Sequence, residues 1–154
     1  MRIEQIYSYH GGKKILTSKS LVWNDIKQTF SNSKLRFEKR ESSYIKTVIS
    51  NMLNRRGWAD SIKIEPTHLT INFLKRKVGL CLQLGNVART YADLLKIQLM
   101  YNKKLIDVGV IAVPIIEDSK RMGSNHAQYE RLVEEVKLFD SIIKLPLVII
   151  GLST

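Results

Sequence analysis

The 154-residue sequence has one cysteine, three prolines and eight glycines, and these scarcities exclude several classes of protein. Cys81 alone can neither close an internal disulfide nor supply the Cys/His set of a usual zinc site, so the fold must stand on packing. No run approaches the roughly 18 consecutive apolar residues of a membrane span. The start, Met1 to Gly12, lacks the apolar core of a signal peptide, so a soluble, cytoplasmic protein without membrane contact is expected. Internal repeats, low-complexity tracts and Pro/Gly-rich linkers are also missing. The length and the 44% hydrophobic content suit one domain over residues 1–154 with a single core.

Acid is in short supply as well. The chain carries 25 Lys and Arg against 14 Asp and Glu, a net charge of +11. The imbalance is uneven: residues 1–105 hold 20 basic and 7 acidic side chains, residues 106–154 hold 5 and 7, so +13 and −2 make up the whole excess. A field of that sign concentrates polyanions and supports salt-sensitive phosphate contacts, which favours nucleic acid over a small neutral substrate. An acidic protein partner, or plain solubility, is the alternative use of the same charge.

What is present is a clear alternation of periods. Val22, Ile26 and Phe30 predict a helix over about 20–31. Ile45, Val48, Ile49, Met52 and Leu53 predict a second, stopped by Gly57. After Pro66 the period drops to two: Leu69, Ile71 and Phe73, then Val78, Leu80, Leu82 and Leu84, read as two half-buried strands joined by a hairpin at Lys75-Arg76-Lys77. A helix over about 87–102, a strand over Val108 to Val113, a helix over about 126–140 and a final apolar strand over Leu147 to Ile150 follow. The order ααββαβαβ predicts an α/β fold with a central mixed sheet flanked by helices.

The hairpin is where chemistry is expected. Alternation places Thr70 and Asn72 on one face of the first strand and Gly79, Cys81 and Gln83 on one face of the second. Two polar positions nine residues apart, with a third two residues on, have the layout of a metal-dependent nuclease: two acids hold Mg²⁺ and a Lys or Gln positions the attacking water. Here that layout carries no acid.

The segment NFLKRKVGLCLQLGN, residues 72–86, resembles the active-site hairpin of the BglII and BstYI type II restriction endonucleases. Further similar segments are MRIEQIYSYHGG at the start, Trp23 to Ile26, Arg56 to Trp58, IDVGVIAVP (106–114), MGSNHAQYE (122–130) and LPLVIIGL (145–152). The resemblance implies a restriction-endonuclease-like fold of PD-(D/E)XK type, double-stranded DNA as partner, a homodimer on palindromic sites and, in an active member, Mg²⁺ as cofactor. It also implies that the family's Asp falls at Asn72, its Glu at Cys81 and its Gln at Gln83. An amide oxygen and a largely protonated thiol are poor Mg²⁺ donors, so no metal site is expected here. The segment between Phe30 and Tyr44 is shorter than in the family, where it helps grip DNA.

Nucleic-acid contacts are expected from several places. Asn86 and Arg89 follow the second strand where the family contacts bases, and both suit base edges and phosphates; Asn86 equally suits a helix N-cap. Ser124, Asn125 and His126 fall in a loop similar to the family's second DNA-reading loop and also read as a helix start. Lys75, Arg76 and Lys77 form a charge run at a hairpin tip, either solvated or touching phosphate. Cys81 has three readings, a buried hydrophobe, a trace of the lost acid or a nucleophile, and no feature places a histidine base beside it. Glu41 and Glu65 are acids that could replace a missing ligand, and His68, which shares the strand parity of Thr70 and Asn72, either approaches the site or makes ordinary strand-end hydrogen bonds.

The leading expectation is a DNA-binding pseudonuclease. The alternatives are an endonuclease with a rearranged metal site and a protein-interaction module of immunity or antirestriction type.

Overall fold

The computed structural model describes residues 1–38 and 41–154; residues 39 and 40, inside the segment expected to be shortened, lie outside the described residues. Strand β1 (Arg2–Tyr9) is followed by three helices, α1 (Gly12–Ser18), α2 (Ser20–Thr29) and α3 (Ser42–Asn54). Strands β2 (Ala59–Lys63), β3 (Thr70–Lys75) and β4 (Val78–Leu82) come next, then α4 (Val87–Asn102), β5 (Val108–Pro114), α5 (Ile116–Met122), α6 (Tyr129–Leu138) and β6 (Leu147–Ser153). The sheet order is β1-β6-β5-β4-β3-β2. The central trio β4, β5 and β6 is parallel, and β1, β3 and β2 add antiparallel edges.

The mixed α/β sheet expected from the periods is therefore found. The helices expected over about 20–31, through Ile45 to Leu53 with a stop at Gly57, and over about 87–102, together with strands β3 to β6, fall close to their expected places, while β1, α1, β2 and α5 add to the expected order. The causes of the omissions are local. Strand β1 lies at the sheet edge and fully buries only Tyr9, and β2 is exposed along nearly its whole length, so neither shows a clean alternation. Helices α1 and α5 are only seven residues long, two turns in which a helical period barely repeats. The helix expected from residue 126 starts at Tyr129 with Gln128 as its N-cap, so Ser124 and Asn125 stay in the preceding loop.

Strands β5 and β6 are buried at every position, as a parallel sheet covered on both faces requires. One core, with Leu16, Val22, Ile26, Phe30, Ile45, Ile49 and Leu53, seats α1, α2 and α3 on one face. The other, with Leu94, Ile97, Met100, Leu132 and Val136, seats α4 and α6. Gly109 permits the close fit of α4 on β5, since a Cβ there would stand 2.5 Å from Ile97 Cγ2. The β3–β4 connection is a two-residue turn, Lys75 pairing with Val78, with Arg76 and Lys77 at φ of 47° and 61°. Positive φ at both positions matches the right-handed twist of the strands, but neither residue is the Asn or Gly that favours it.

A candidate nucleic-acid interface at the carboxyl ends of the central strands

Parallel strands bring their carboxyl ends to one side, where ligand sites of open α/β sheets form. There the loop after β4 meets the loop before α6. Val87 N donates to Asn125 O at 3.0 Å, Ala127 N donates to Gly85 O at 2.8 Å, and Asn86 and His126 form an isolated antiparallel bridge. The two segments expected to read DNA, 39 residues apart at Asn86 and Asn125, are thus stitched together. Asn86 Oδ1 caps α4 by accepting from Ala88 N at 2.8 Å, and the residue remains exposed. Ser124 and Asn125 are exposed, Asn125 at φ 61°, and His126 Nδ1 lies 3.1 Å from Ser124 O. Arg89, one turn into α4, is exposed and engages no carboxylate among the described residues.

Beside this rim the strand pair β3–β4 opens. Regular pairing runs from Lys75↔Val78 to Phe73↔Leu80 and then stops. Continued regularly, the ladder would have Leu82 N donate to the Ile71 carbonyl. Instead it donates to Asn72 Oδ1 at 2.9 Å. The opening changes how faces are shared: Phe73 packs with the α1–α3 core, whereas Ile71 joins Cys81 in the α4 core. Sequence alternation had put both on one face. Asn72 itself is exposed and lines two adjoining cavities of about 140 and 330 Å³, both also lined by Lys46 and Leu82.

Cys81 does not line either cavity. It is completely buried among residues that include Leu94 and Ile97, and that burial, reinforced by the Asp93 charge, pushes its thiol well above the ordinary range. A thiol so protonated is an inert core residue and cannot serve as a nucleophile. Gln83 does reach the larger cavity. Its Nε2 donates to Asp93 Oδ2 at 2.9 Å, and its Oε1 accepts from Gly85 N at 3.0 Å.

Asp60 lines the smaller cavity and Asp93 the larger, and sequence reasoning singled out neither; the more enclosed of the two is Asp93. It is the first acid after Glu65, sits on α4 and is 6% exposed. Its other oxygen holds Lys96 Nζ at 2.8 Å, and that ammonium also donates to Thr70 O at 3.0 Å. Across the cleft stands Lys46 of α3, without a carboxylate partner among the described residues and held below the usual lysine range by burial and by Arg89. Spacing held a clue to these residues, because Arg89, Asp93 and Lys96 lie at i, i+4 and i+7 on one face of α4. Of the proposed substitute acids, Glu65 pairs with Lys63 at 3.2 Å, and neither it, Glu41 nor His68 lines these cavities.

Lys75, Arg76 and Lys77 lie at the opposite end of β4. Lys75 Nζ is bound to Asp25 Oδ2 at 2.7 Å and to the Arg56 carbonyl, and Trp58 Nε1 shares the same aspartate oxygen at 3.1 Å. Lys75 thus ties the hairpin to α2. Arg76 and Lys77 are exposed, the latter 3.9 Å from Asp107 Oδ1.

The donors at the hairpin do not fit a Mg²⁺ ion. Asn72 Oδ1 is engaged by a backbone N–H, Cys81 is buried, Asp93 is bound by an ammonium and an amide, and Asp60, lining the smaller cavity, accepts from Ser50 Oγ at 3.3 Å and Asn54 Nδ2 at 3.0 Å. No group of three or more His, Cys, Asp or Glu residues converges among the described residues. Likewise, no helix among them is long and apolar enough to cross a membrane.

Sheet order, helix placement and the opened hairpin define an α/β protein of the restriction-endonuclease-like class. The chain belongs to the restriction endonuclease BglII/BglIII family, whose model matches residues 4–152. It is similar to the crystal structure of BglII complexed with a DNA 16-mer, at a TM-score of 0.82 and 16% identity over 100% of this chain and 77% of that one. Free BglII is similar at a TM-score of 0.76 and 18% identity, over 100% of this chain and 80% of that one. Among curated protein sequences no relative matches.

Proposed function

We propose that this chain binds double-stranded DNA as a member of the BglII family and does not cleave it, acting as a pseudonuclease in one restriction-endonuclease-like domain. The observation that carries the reading is the state of the hairpin: none of its three expected site positions presents a free acidic oxygen, and Asp93 is already bound by Lys96 and Gln83. Two-carboxylate chemistry needs ionised oxygens free to ligate a metal and polarise the phosphate. Binding needs different things, and the bridged loops with Asn86, Arg89, Ser124, Asn125 and His126 supply them beside a net charge of +11. BglII, as solved with a DNA 16-mer, supports duplex DNA as the polymer. A homodimer, intracellular location and absence of any metal requirement complete the proposal.

The test pairs binding with cleavage. Labelled duplex should bind with a steep salt dependence, and supercoiled plasmid should stay intact with Mg²⁺ or Mn²⁺. Metal-dependent nicking by the purified chain, abolished by Asp93→Asn, would show instead an enzyme with a rearranged site. Failure to bind duplex at low salt would leave protein interaction as the use of this fold.

A further inference from the structure

Within the proposed DNA-binding role, the geometry points to Lys46 and Arg89 as a metal-independent cradle for a phosphodiester of the DNA backbone, at the place where the hairpin lacks its acids. The inference rests on that role and specifies what the degenerate site does within it.

Four observations converge. First, Lys46 lines both cavities around Asn72, and its ammonium is half-buried without a carboxylate partner among the described residues. Asp93 attracts this ammonium without pairing with it, and a half-buried charge with no paired counter-ion is stabilised by an incoming anion. Second, Arg89 projects into the same 330 Å³ cleft from α4, close enough to act electrostatically on Lys46. Two cations pushed together repel each other until an anion sits between them. A guanidinium offers paired donors and an ammonium a point charge, a combination suited to a phosphate.

Third, the local acid does not compete. Asp93 is neutralised by Lys96, and Gln83 holds its second oxygen, so the walls of the 330 Å³ cleft carry Lys46, Arg89 and Lys96 against Asp93, while Asp60 lines the adjoining cavity and accepts from Ser50 and Asn54. The arrangement inverts the charge logic of a metal nuclease, where acids recruit a cation that then receives the phosphate. Here the protein supplies the cations itself. Fourth, Gln83 and Arg89, which line the cleft, flank the Gly85–Val87 segment bridged to the 124–127 loop, so cleft and rim are built from one stretch of chain.

The experiment uses the full chain and a short labelled duplex, with affinity measured over a series of KCl concentrations in EDTA and again with Mg²⁺ at matched ionic strength. Lys46→Met keeps the aliphatic stem and removes the charge. Lys46→Arg keeps the charge, and Lys13→Met serves as a remote control, since Lys13 is exposed on α1. The expected result is about a ten-fold loss of affinity for Lys46→Met, a salt slope shallower by about one, and near-wild-type binding for Lys46→Arg and Lys13→Met. Arg89→Met should resemble Lys46→Met, and Mg²⁺ should add nothing.

Undiminished binding by Lys46→Met with an unchanged slope would overturn the cradle and leave the DNA-binding role standing. A gain of affinity on adding Mg²⁺ would also overturn it. If the wild-type chain binds no duplex, thermal melting with inorganic phosphate against equal-ionic-strength chloride separates the two ideas. Protection of wild type but not of Lys46→Met would keep the anion site and refute the DNA role; equal melting of both would refute the two together.

Discussion

Cys81→Glu puts back the acid that family resemblance assigns to this position, and the structure says what it will cost. The side chain at 81 is 0% exposed, enclosed by a core that includes Ile71, Leu94 and Ile97, with the Asp93 charge nearby. Full burial raises a carboxyl pKa by up to about 3–5 units, each worth about 1.4 kcal/mol. The glutamate therefore folds protonated. At a pH above its raised folded value it costs about 4–7 kcal/mol, a large share of a domain stability of about 5–15 kcal/mol. Cys81→Gln carries the same overpacking, roughly 1–3 kcal/mol, without the titration and serves as the reference.

The sign follows from proton counts. Below about pH 4 the residue is protonated in both states and the Glu and Gln variants differ least. As pH rises through the unfolded value of about 4.3, the unfolded chain loses a proton that the folded chain keeps, so the Glu variant loses stability by about 1.4 kcal/mol per pH unit until its folded pKa is reached. Urea unfolding of both variants at about pH 5 and about pH 7 should show their difference widening by roughly 2–3 kcal/mol. A difference that stays flat would mean residue 81 reaches water and the cleft. The buried assignment would then be refuted, and Asn72→Asp with Cys81→Glu would become a true restoration of the site.

Other outcomes follow from the same contacts. In the native protein at pH 8, a thiol reagent read by absorbance should leave Cys81 unmodified until denaturant is added, because the thiol is buried and protonated. Asn72→Ala should cost about 1–3 kcal/mol in denaturant unfolding, since Leu82 N loses its acceptor, whereas Asn72→Asp should cost less. Replacing Arg76-Lys77 by Asn-Gly should raise stability by about 1 kcal/mol by relieving two positive-φ residues, with duplex affinity nearly unchanged; a marked affinity loss would place the hairpin tip on DNA. Asp25→Ala should lower stability by about 1–3 kcal/mol, since it strips partners from Lys75 and Trp58, and leave the salt slope of DNA binding unaltered.

How far the sequence spoke depended on how regular each element is. Long, periodic elements such as α4 and the apolar strands β5 and β6 declared themselves because burial forces a repeating pattern. Strand β2 did not, since an exposed edge strand has little apolar face to repeat. The site was legible as positions but not as environments. Spacing along the hairpin located Asn72, Cys81 and Gln83. It could not show that the ladder breaks at Asn72, an event that depends on one side-chain amide displacing a backbone carbonyl. Strict alternation therefore put Ile71 with Phe73, a placement that fails at the break, while Cys81 keeps the face opposite Leu80 and Leu82 that alternation gave it, a face that α4 covers. Lys46 was beyond reach for a different reason: it comes from α3, and only the tertiary fold sets α3 across the cleft from α4.

That break changes how the two missing acids should be understood. Had Asn72 and Cys81 simply lost their charges in an otherwise intact site, two substitutions would restore it. Instead the surroundings have adapted to the neutral residues. Cys81 lies within an apolar core, Asn72 is part of the strand's hydrogen bonding, and Lys96 takes up Asp93, the more buried of the two carboxylates that line the cavities. Reintroducing a metal would require its ligands to displace an ammonium already bonded to Asp93 and Thr70, beside the positive charges of Lys46 and Arg89. Electrostatics at this end of the sheet thus disfavours a second cation and favours an anion. A two-carboxylate metal site at this hairpin would therefore need coordinated changes on α3, α4 and both strands, so the Asn72→Asp, Cys81→Glu pair is expected to confer no plasmid cleavage of its own.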